Sequence, residues 1–202
     1  ISIVAGNCVG TAAYVAASMD ICLTIDEISM ISLHGPQIYA SILKEAIDVK
    51  TVFSARAHNE NTGLSQFMCD SEDSCYATVK KLLSFLPSNN LENPLYIMNG
   101  DDPNRQIDTF DESYNAISLI KMVADLGDVL EYHALYAPEL STAFGRLNGN
   151  VVGFIANEKN RNITSRAARK AARFIALLNA FDIPLITFTD FEGTEISADQ
   201  DM

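Results

Sequence analysis

The 202-residue chain has no tryptophan, only three histidines and four cysteines, and just 14 basic residues against 26 acidic ones. Cys8, Cys22, Cys69 and Cys75 form no CxxC pair, and His34, His58 and His133 are scattered. The ligand spacing of a zinc site is therefore missing, and no metal is expected. Cys8 and Cys22 stand in apolar stretches, where buried, reduced thiols suit a cytoplasmic protein. A formal charge of -12 and a pI near 4.5 argue against nucleic acid as a partner, because phosphate-backbone binding draws on excess positive charge. An unbroken hydrophobic run is also missing. Residues 1–19 carry no charge, but Gly6-Asn7-Cys8-Val9-Gly10-Thr11 interrupts them, no basic leader or initiator Met precedes them, and Asp20 follows at once. Neither a signal core nor a transmembrane segment is expected there. The abrupt apolar start implies instead that the chain begins inside a larger protein.

What is present is ordinary globular composition, 48% hydrophobic and 20% charged, enough for a real core in one domain or two small ones. Residues 1–5 read as a buried strand, followed by a glycine turn and a small-residue helix over 11–18. Residues 21–25 and 28–33 read as short strands, Gly35-Pro36 as a break, 37–47 as a helix and the polar stretch 56–66 as loop. Ser71, with Glu72 and Asp73 behind it, opens a helix that turns Val79, Leu82, Leu83 and Leu86 inward and stops at Pro87. Pro87, Pro94 and Pro103 among Ser, Asn and Asp give linker composition. Beyond it, Asp111 or Ser113 is expected to cap a helix bearing Ile117, Ile120, Val123 and Ala124 on one face. Residues 144–147 and 151–156 flank Asn148-Gly149, a strong hairpin signal, and a long helix over 164–181 is expected to bury Ala167, Ala171, Phe174, Ile175 and Leu178. A last strand covers 184–188. The pattern is α/β in two related lobes, with Tyr14 and Phe188 expected in the core.

The chemistry concentrates at Gly6 to Tyr14. Amides at a helix start lack intrahelical partners and, with the helix dipole, can hold an anion or a developing oxyanion, while glycine lets a carbonyl approach the main chain. The same glycines also suit a plain tight turn. A dinucleotide fingerprint would need GxGxxG and a phosphate loop Gly-Lys-Ser or Gly-Lys-Thr, and neither is present.

Gly6 to Tyr14, then Leu33-His34-Gly35-Pro36, then Leu82-Leu83-Ser84-Phe85-Leu86-Pro87-Ser88-Asn89-Asn90 resemble successive motifs of the carboxyltransferase subunits of biotin-dependent acyl-CoA carboxylases and decarboxylases. Arg146-Leu147-Asn148-Gly149, Lys170-Ala171-Ala172-Arg173-Phe174-Ile175 and Asn179-Ala180-Phe181-Asp182-Ile183-Pro184 continue the likeness in the same order. The resemblance implies a crotonase-like ββα superhelix in parts of two related domains, 1–93 and 111–202, with 94–110 as linker. It implies a carboxyl group moved between biotin, borne on a separate carrier domain or subunit, and an acyl-CoA. Each domain of that family contributes one backbone oxyanion hole, and facing domains of two subunits in a homo-oligomer form each site. The hole for the thioester enolate maps onto Gly10 and Thr11, with Gly6, Val9, Gly35 and Pro36 as acyl-CoA contacts. Its companion for the biotin oxygen is expected downstream of Met202.

Two positions depart from the family pattern. Thr11 stands where a second glycine is usual; amide donation survives, but a β-branched side chain narrows the approach of the acyl group. Asp190-Phe191-Glu192-Gly193 replaces a proline-containing turn, which tilts the reading towards decarboxylase-type relatives. Arg166, Arg169, Lys170 and Arg173 share a helical face, which reads either as a contact for CoA phosphates or the biotin carboxyl carrier protein, or as a solvated stripe. His34 reads as a hydrogen-bonded structural residue. The alternative to an enzyme is a non-catalytic acyl-CoA-binding or assembly module, and a hydratase of the same fold is disfavoured because no suitably placed Glu pair is present.

Overall fold

The computed structural model describes residues 1–44, 48–107, 114–190 and 193. The chain folds into two compact units, Ile1–Val79 and Lys80–Met202.

In the first unit, β1 (Ser2–Val4) and β2 (Asn7–Val9) precede α1 (Thr11–Ala17), and β3 (Cys22–Ile25) and β4 (Met30–Ser32) precede α2 (Pro36–Leu43). Two ββα units thus follow one another, and β2 occupies the stretch expected as a glycine turn. Consecutive strands do not pair. Strands β1, β3 and, later, β5 (Phe67–Cys69) form one parallel sheet, and β2 pairs with β4 in a second. Fully buried strands in a parallel sheet read as continuous apolar runs, and β3 is buried at all four positions. Ala13, Ala16, Cys22 and Ile31 close the core over Val4.

The stretch expected as loop is instead structured. After α3 (Val49–Phe53), α4 (Ala55–Ala57) runs into a π-turn at His58–Thr62. Two of its polar side chains, His58 and Asn59, are buried and bonded: Asn59 donates to the Thr24 hydroxyl and the Ala55 carbonyl, both at 2.8 Å. A satisfied polar group can be buried at little cost, so polarity misreads as exposure here. Helix α5 (Glu72–Phe85) begins as expected, with Ser71 and Ser74 exchanging side-chain to amide bonds at 3.2 and 3.0 Å. Its buried side chains include Cys75, Leu82 and Phe85, while Leu83 faces out. Tyr14 is 62% exposed, which overturns its expected place in the core. Along α2 no side chain is buried, and Ile38, Ile42 and Leu43 are exposed. The expected continuation of that helix over 45–47 lies outside the described residues.

In the second unit, α6 (Ala116–Val123) starts at Asn115, whose side chain accepts from the Ile117 and Ser118 amides. The caps expected at Asp111 or Ser113 lie outside the described residues. A single 3-10 turn at Asp125–Gly127 leads to the sheet β6 (Leu130–Tyr132), β7 (Leu140–Leu147), β8 (Asn150–Asn157) and β9 (Leu185–Phe188), in that spatial order. Leu147 pairs with Asn150, so Asn148-Gly149 is the predicted two-residue hairpin turn, with both residues at positive φ, 47° and 78°. Asp125 seats that turn by accepting the Asn148 and Gly149 amides at 2.9 and 2.8 Å. The proline-rich segment is tied down as well: the Arg105 guanidinium donates to the carbonyls of Met122, Val123 and Ala124 at the end of α6, and its Nε donates to Asp101. Helix α7 (Ser165–Ala180), capped by Thr164, lays Ala167, Phe174, Leu177 and Leu178 on the core, whereas Ile175 is exposed. Phe188 is half-buried and stacks on Phe154, with ring centroids 6.4 Å apart.

Candidate functional site

The second parallel pair positions the bend. Cys8 pairs with Ile31 and Val9 with Ser32, so Gly10-Thr11 and Leu33-His34-Gly35-Pro36 leave the same, carboxyl-terminal end of β2–β4. That end is where parallel α/β sheets place ligands. Val9, Gly10, Thr11, Gly35 and Pro36 are thus brought together. Gly6 is not: its carbonyl accepts the Met30 amide at the opposite end of β2. There it lines an open cavity of about 570 Å³, together with residues from β1, β2 and the Ala12, Val15 and Ala16 side of α1.

Gly10 sits at φ 67°, ψ -129°, a backbone region that only glycine adopts without strain. A Cβ there would have room, 3.9 Å from the Leu33 carbonyl, so dihedral freedom and not crowding demands the glycine. Its carbonyl accepts the Ala13 and Tyr14 amides at 3.0 and 3.3 Å and starts α1. Its amide, however, is engaged: Gly10 N donates to the Ser32 carbonyl at 3.1 Å, one rung beyond the β2–β4 ladder. Of the expected donors Gly10 and Thr11, the first thus has its amide bonded within the chain. Thr11 and Ala12, both exposed, have no acceptor for their amides among the described residues, and no side chain caps α1.

Other helices of the chain are closed at this end. Asp48, Ser54, Asn115 and Thr164 cap α3, α4, α6 and α7 with side-chain oxygens, and Ser71 caps α5. Helix α2 has no side-chain cap, but Pro36 at its start has no N–H to give. Among the described α-helices, only α1 and α2 lack a side-chain cap, and of these α1 keeps an N–H at its first residue. His34 is exposed, its ring 5.7 Å from Tyr39.

The basic stripe divides. Lys170 is 1% exposed and points inward, donating to the Tyr136 and Ala137 carbonyls at 2.8 and 3.4 Å. Burial pushes its pKa down to about 8, against the pull of Glu131 and Glu139. Positions 166, 170 and 174 continue the buried face of α7, so shared periodicity places Lys170 with the core and not with solvent. Arg166 lies over the Tyr136 ring at 4.7 Å, Arg173 is half-buried and Arg169 is exposed. His58, Asp125 and Arg105 were not singled out by pattern. The partners that fix their places, Ile31, Asn148 and Met122, lie 17 to 27 residues away and leave no local signal.

No described helix is long and apolar enough to cross a membrane. Paired ββα units with a glycine bend ending the inner strand define a crotonase-like α/β fold. The chain belongs to the carboxyl transferase domain family, whose pattern matches residues 1–202. It is 33% identical to the methylmalonyl-CoA decarboxylase subunit alpha of Veillonella parvula over 96% of this chain and 40% of that one. It is 35% identical to the methylmalonyl-CoA carboxyltransferase 12S subunit of Propionibacterium freudenreichii subsp. shermanii, over 96% of this chain and 38% of that one. In structure it resembles a transcarboxylase 12S hexamer with methylmalonyl-CoA and methylmalonic acid bound, at TM-score 0.87 and 34% identity, across 98% of this chain and 40% of that one. The chain thus spans about 40% of the length of these relatives.

Proposed function

We propose that the chain is a carboxyltransferase segment that moves a carboxyl group between biotin and an acyl-CoA, working in the cytoplasm within a larger homo-oligomer. The observation that carries this reading is the end-to-end likeness, at TM-score 0.87, to a transcarboxylase holding methylmalonyl-CoA. On this reading residues 1–93 and 111–202 belong to two related domains joined through 94–110. The acyl-CoA thioester lies at the carboxyl-terminal end of β2–β4, with Val9, Gly35 and Pro36 beside it and Gly6 bordering the cavity behind α1. Gly10 shapes the bend, and the amides of Thr11 and Ala12 aim at the thioester oxygen as negative charge develops there. Each such donor contributes roughly 2.7–4 kcal/mol to transition-state stabilisation. The Thr11 side chain crowds the acyl pocket and favours short acyl groups.

When bound, biotin supplies the carboxyl group and the base for the α proton, which is why the site needs no Ser/His pair or paired carboxylates. Biotin arrives on a biotin carboxyl carrier protein. The described residues of this chain fit the CoA thioester and provide no second bend for the biotin oxygen, so none is assigned to it. Exposed Arg169, with Arg166 and Arg173, is the surface for CoA phosphates or the carrier.

A second reading is an acyl-CoA-binding module that holds the thioester at the same bend without turnover. Incubation with methylmalonyl-CoA and free biotin separates the two. Decarboxylation well above a heat-killed control supports the enzyme; binding by calorimetry with no turnover supports the module; neither binding nor turnover rejects both.

A further inference from the structure

The two edges of β4 are held by different parts of the chain. Successive strand residues turn their amide and carbonyl groups to opposite sides. The Met30 amide donates to the Gly6 carbonyl and the Ser32 carbonyl accepts the Gly10 amide, both at 3.1 Å, so residues 30 and 32 face β2. Ile31 faces the other edge, and among the described residues β4 has no second strand neighbour. There the Ile31 carbonyl meets His58 Nε2 at 2.8 Å. A carbonyl can only accept, so Nε2 carries the hydrogen, and in the neutral ring Nδ1 takes the hydroxyl hydrogen of Thr62 at 3.1 Å.

His58 opens the π-turn, a wide turn of a type often found at functional sites. The same segment also grips the entry to β4. The Ala55 amide donates to the Ser29 carbonyl at 3.0 Å, and Ser54 bridges Met30. The chain is thus held from outside at Ile31 and at Ser29, the residue just before β4, and Ser32 pins Gly10 from inside. Without the imidazole, the Ile31 carbonyl, in a residue 3% exposed, would be left buried and unbonded.

We infer that His58 is a positioning residue for the thioester bend: by holding the Ile31 carbonyl it fixes the Ser32 carbonyl that ties down the Gly10 amide, leaving Thr11 and Ala12 as the aimed donors. The inference rests on the carboxyltransferase reading of that bend. Hydrogen exchange of the Gly10 amide, followed by NMR on the full chain, tests the linkage, and calorimetric titration with methylmalonyl-CoA tests its use. In His58→Leu the Gly10 amide should exchange roughly tenfold faster while Leu23, in the central strand of the other sheet, is unchanged, and affinity should fall roughly tenfold. His58→Gln keeps a donor at the Nε2 position and should restore both. Should His58→Leu not fold, Thr62→Val keeps the imidazole but removes its Nδ1 partner, together with the acceptor of the exposed Leu64 amide, and should still speed Gly10 exchange severalfold. Unchanged Gly10 exchange in a folded variant, or equal acceleration at Leu23, overturns the positioning role. Rescued exchange in a chain that never binds methylmalonyl-CoA overturns the thioester reading, and the inference with it.

Discussion

Lys170 carries a positive charge into a place where water cannot reach it. Its folded pKa is about 8, below the ordinary lysine value, so between pH 8 and about 10 the unfolded chain holds a proton that the folded chain has released. Stability contributed by this residue therefore rises with pH across that window, by up to roughly 3 kcal/mol. In Lys170→Met the rise should vanish, so wild type should gain in Tm relative to the variant from pH 8 to 10; parallel curves would show that the ammonium is not titrating there. Asp125 makes the opposite case. Burial alone would raise its pKa, but the Gly149 amide, the Asn99 side chain and the Asn148 amide outweigh it and hold the pKa low. Asp125→Ala strands those donors, and denaturant unfolding should show a loss of about 2–3 kcal/mol. Neither residue was legible from sequence, because both are explained by partners that only the fold brings near.

Elements were legible where their signals are local. The hairpin follows from Asn148-Gly149 at its tip, and α7 from its period and its Thr164 cap. Which face each helix buries was less legible. The period correctly lined up Ala167, Phe174 and Leu178 but also drew in Ile175, and Leu83 on α5, because 100° per residue leaves the borders of a stripe undefined until a neighbour is in place. The π-turn was invisible, since its buried Asn59 and His58 look like solvent-facing residues in any composition count. Close packing gives one sharp test at this scale. A Cβ added at Gly153 on β8 would collide with the Leu178 side chain of α7, so Gly153→Ala should force helix and sheet apart and cost about 1–3 kcal/mol by thermal or denaturant unfolding. A neutral outcome would mean that Leu178 has a second rotamer available.

Over the whole molecule, the charge of -12 opposes an anionic CoA ester, and the exposed cation Arg169 on α7 stands against that field. If Arg169 meets CoA phosphates, Arg169→Glu should weaken methylmalonyl-CoA binding about tenfold or more at low salt, and the difference should shrink as salt screens it. Equal affinities would leave the stripe to the carrier or to solvent. The exposed apolar residues Tyr14, Val15, Ile38, Ile42 and Leu43 fit a chain that associates with further protein, and sedimentation should find species heavier than 22.1 kDa. The two sheets also differ in how far apart their partners lie along the chain. β7 and β8 meet across two residues, while β3 must wait for β5, with Leu23 opposite Phe67. Closing the distant pair costs more chain entropy and takes longer, so refolding should begin in the later half of the chain and finish in the earlier one. During synthesis β1 can meet β3 early, but the other edge of β3 must stay bare until residue 69 has left the ribosome, a window in which a holding chaperone would have something to grip.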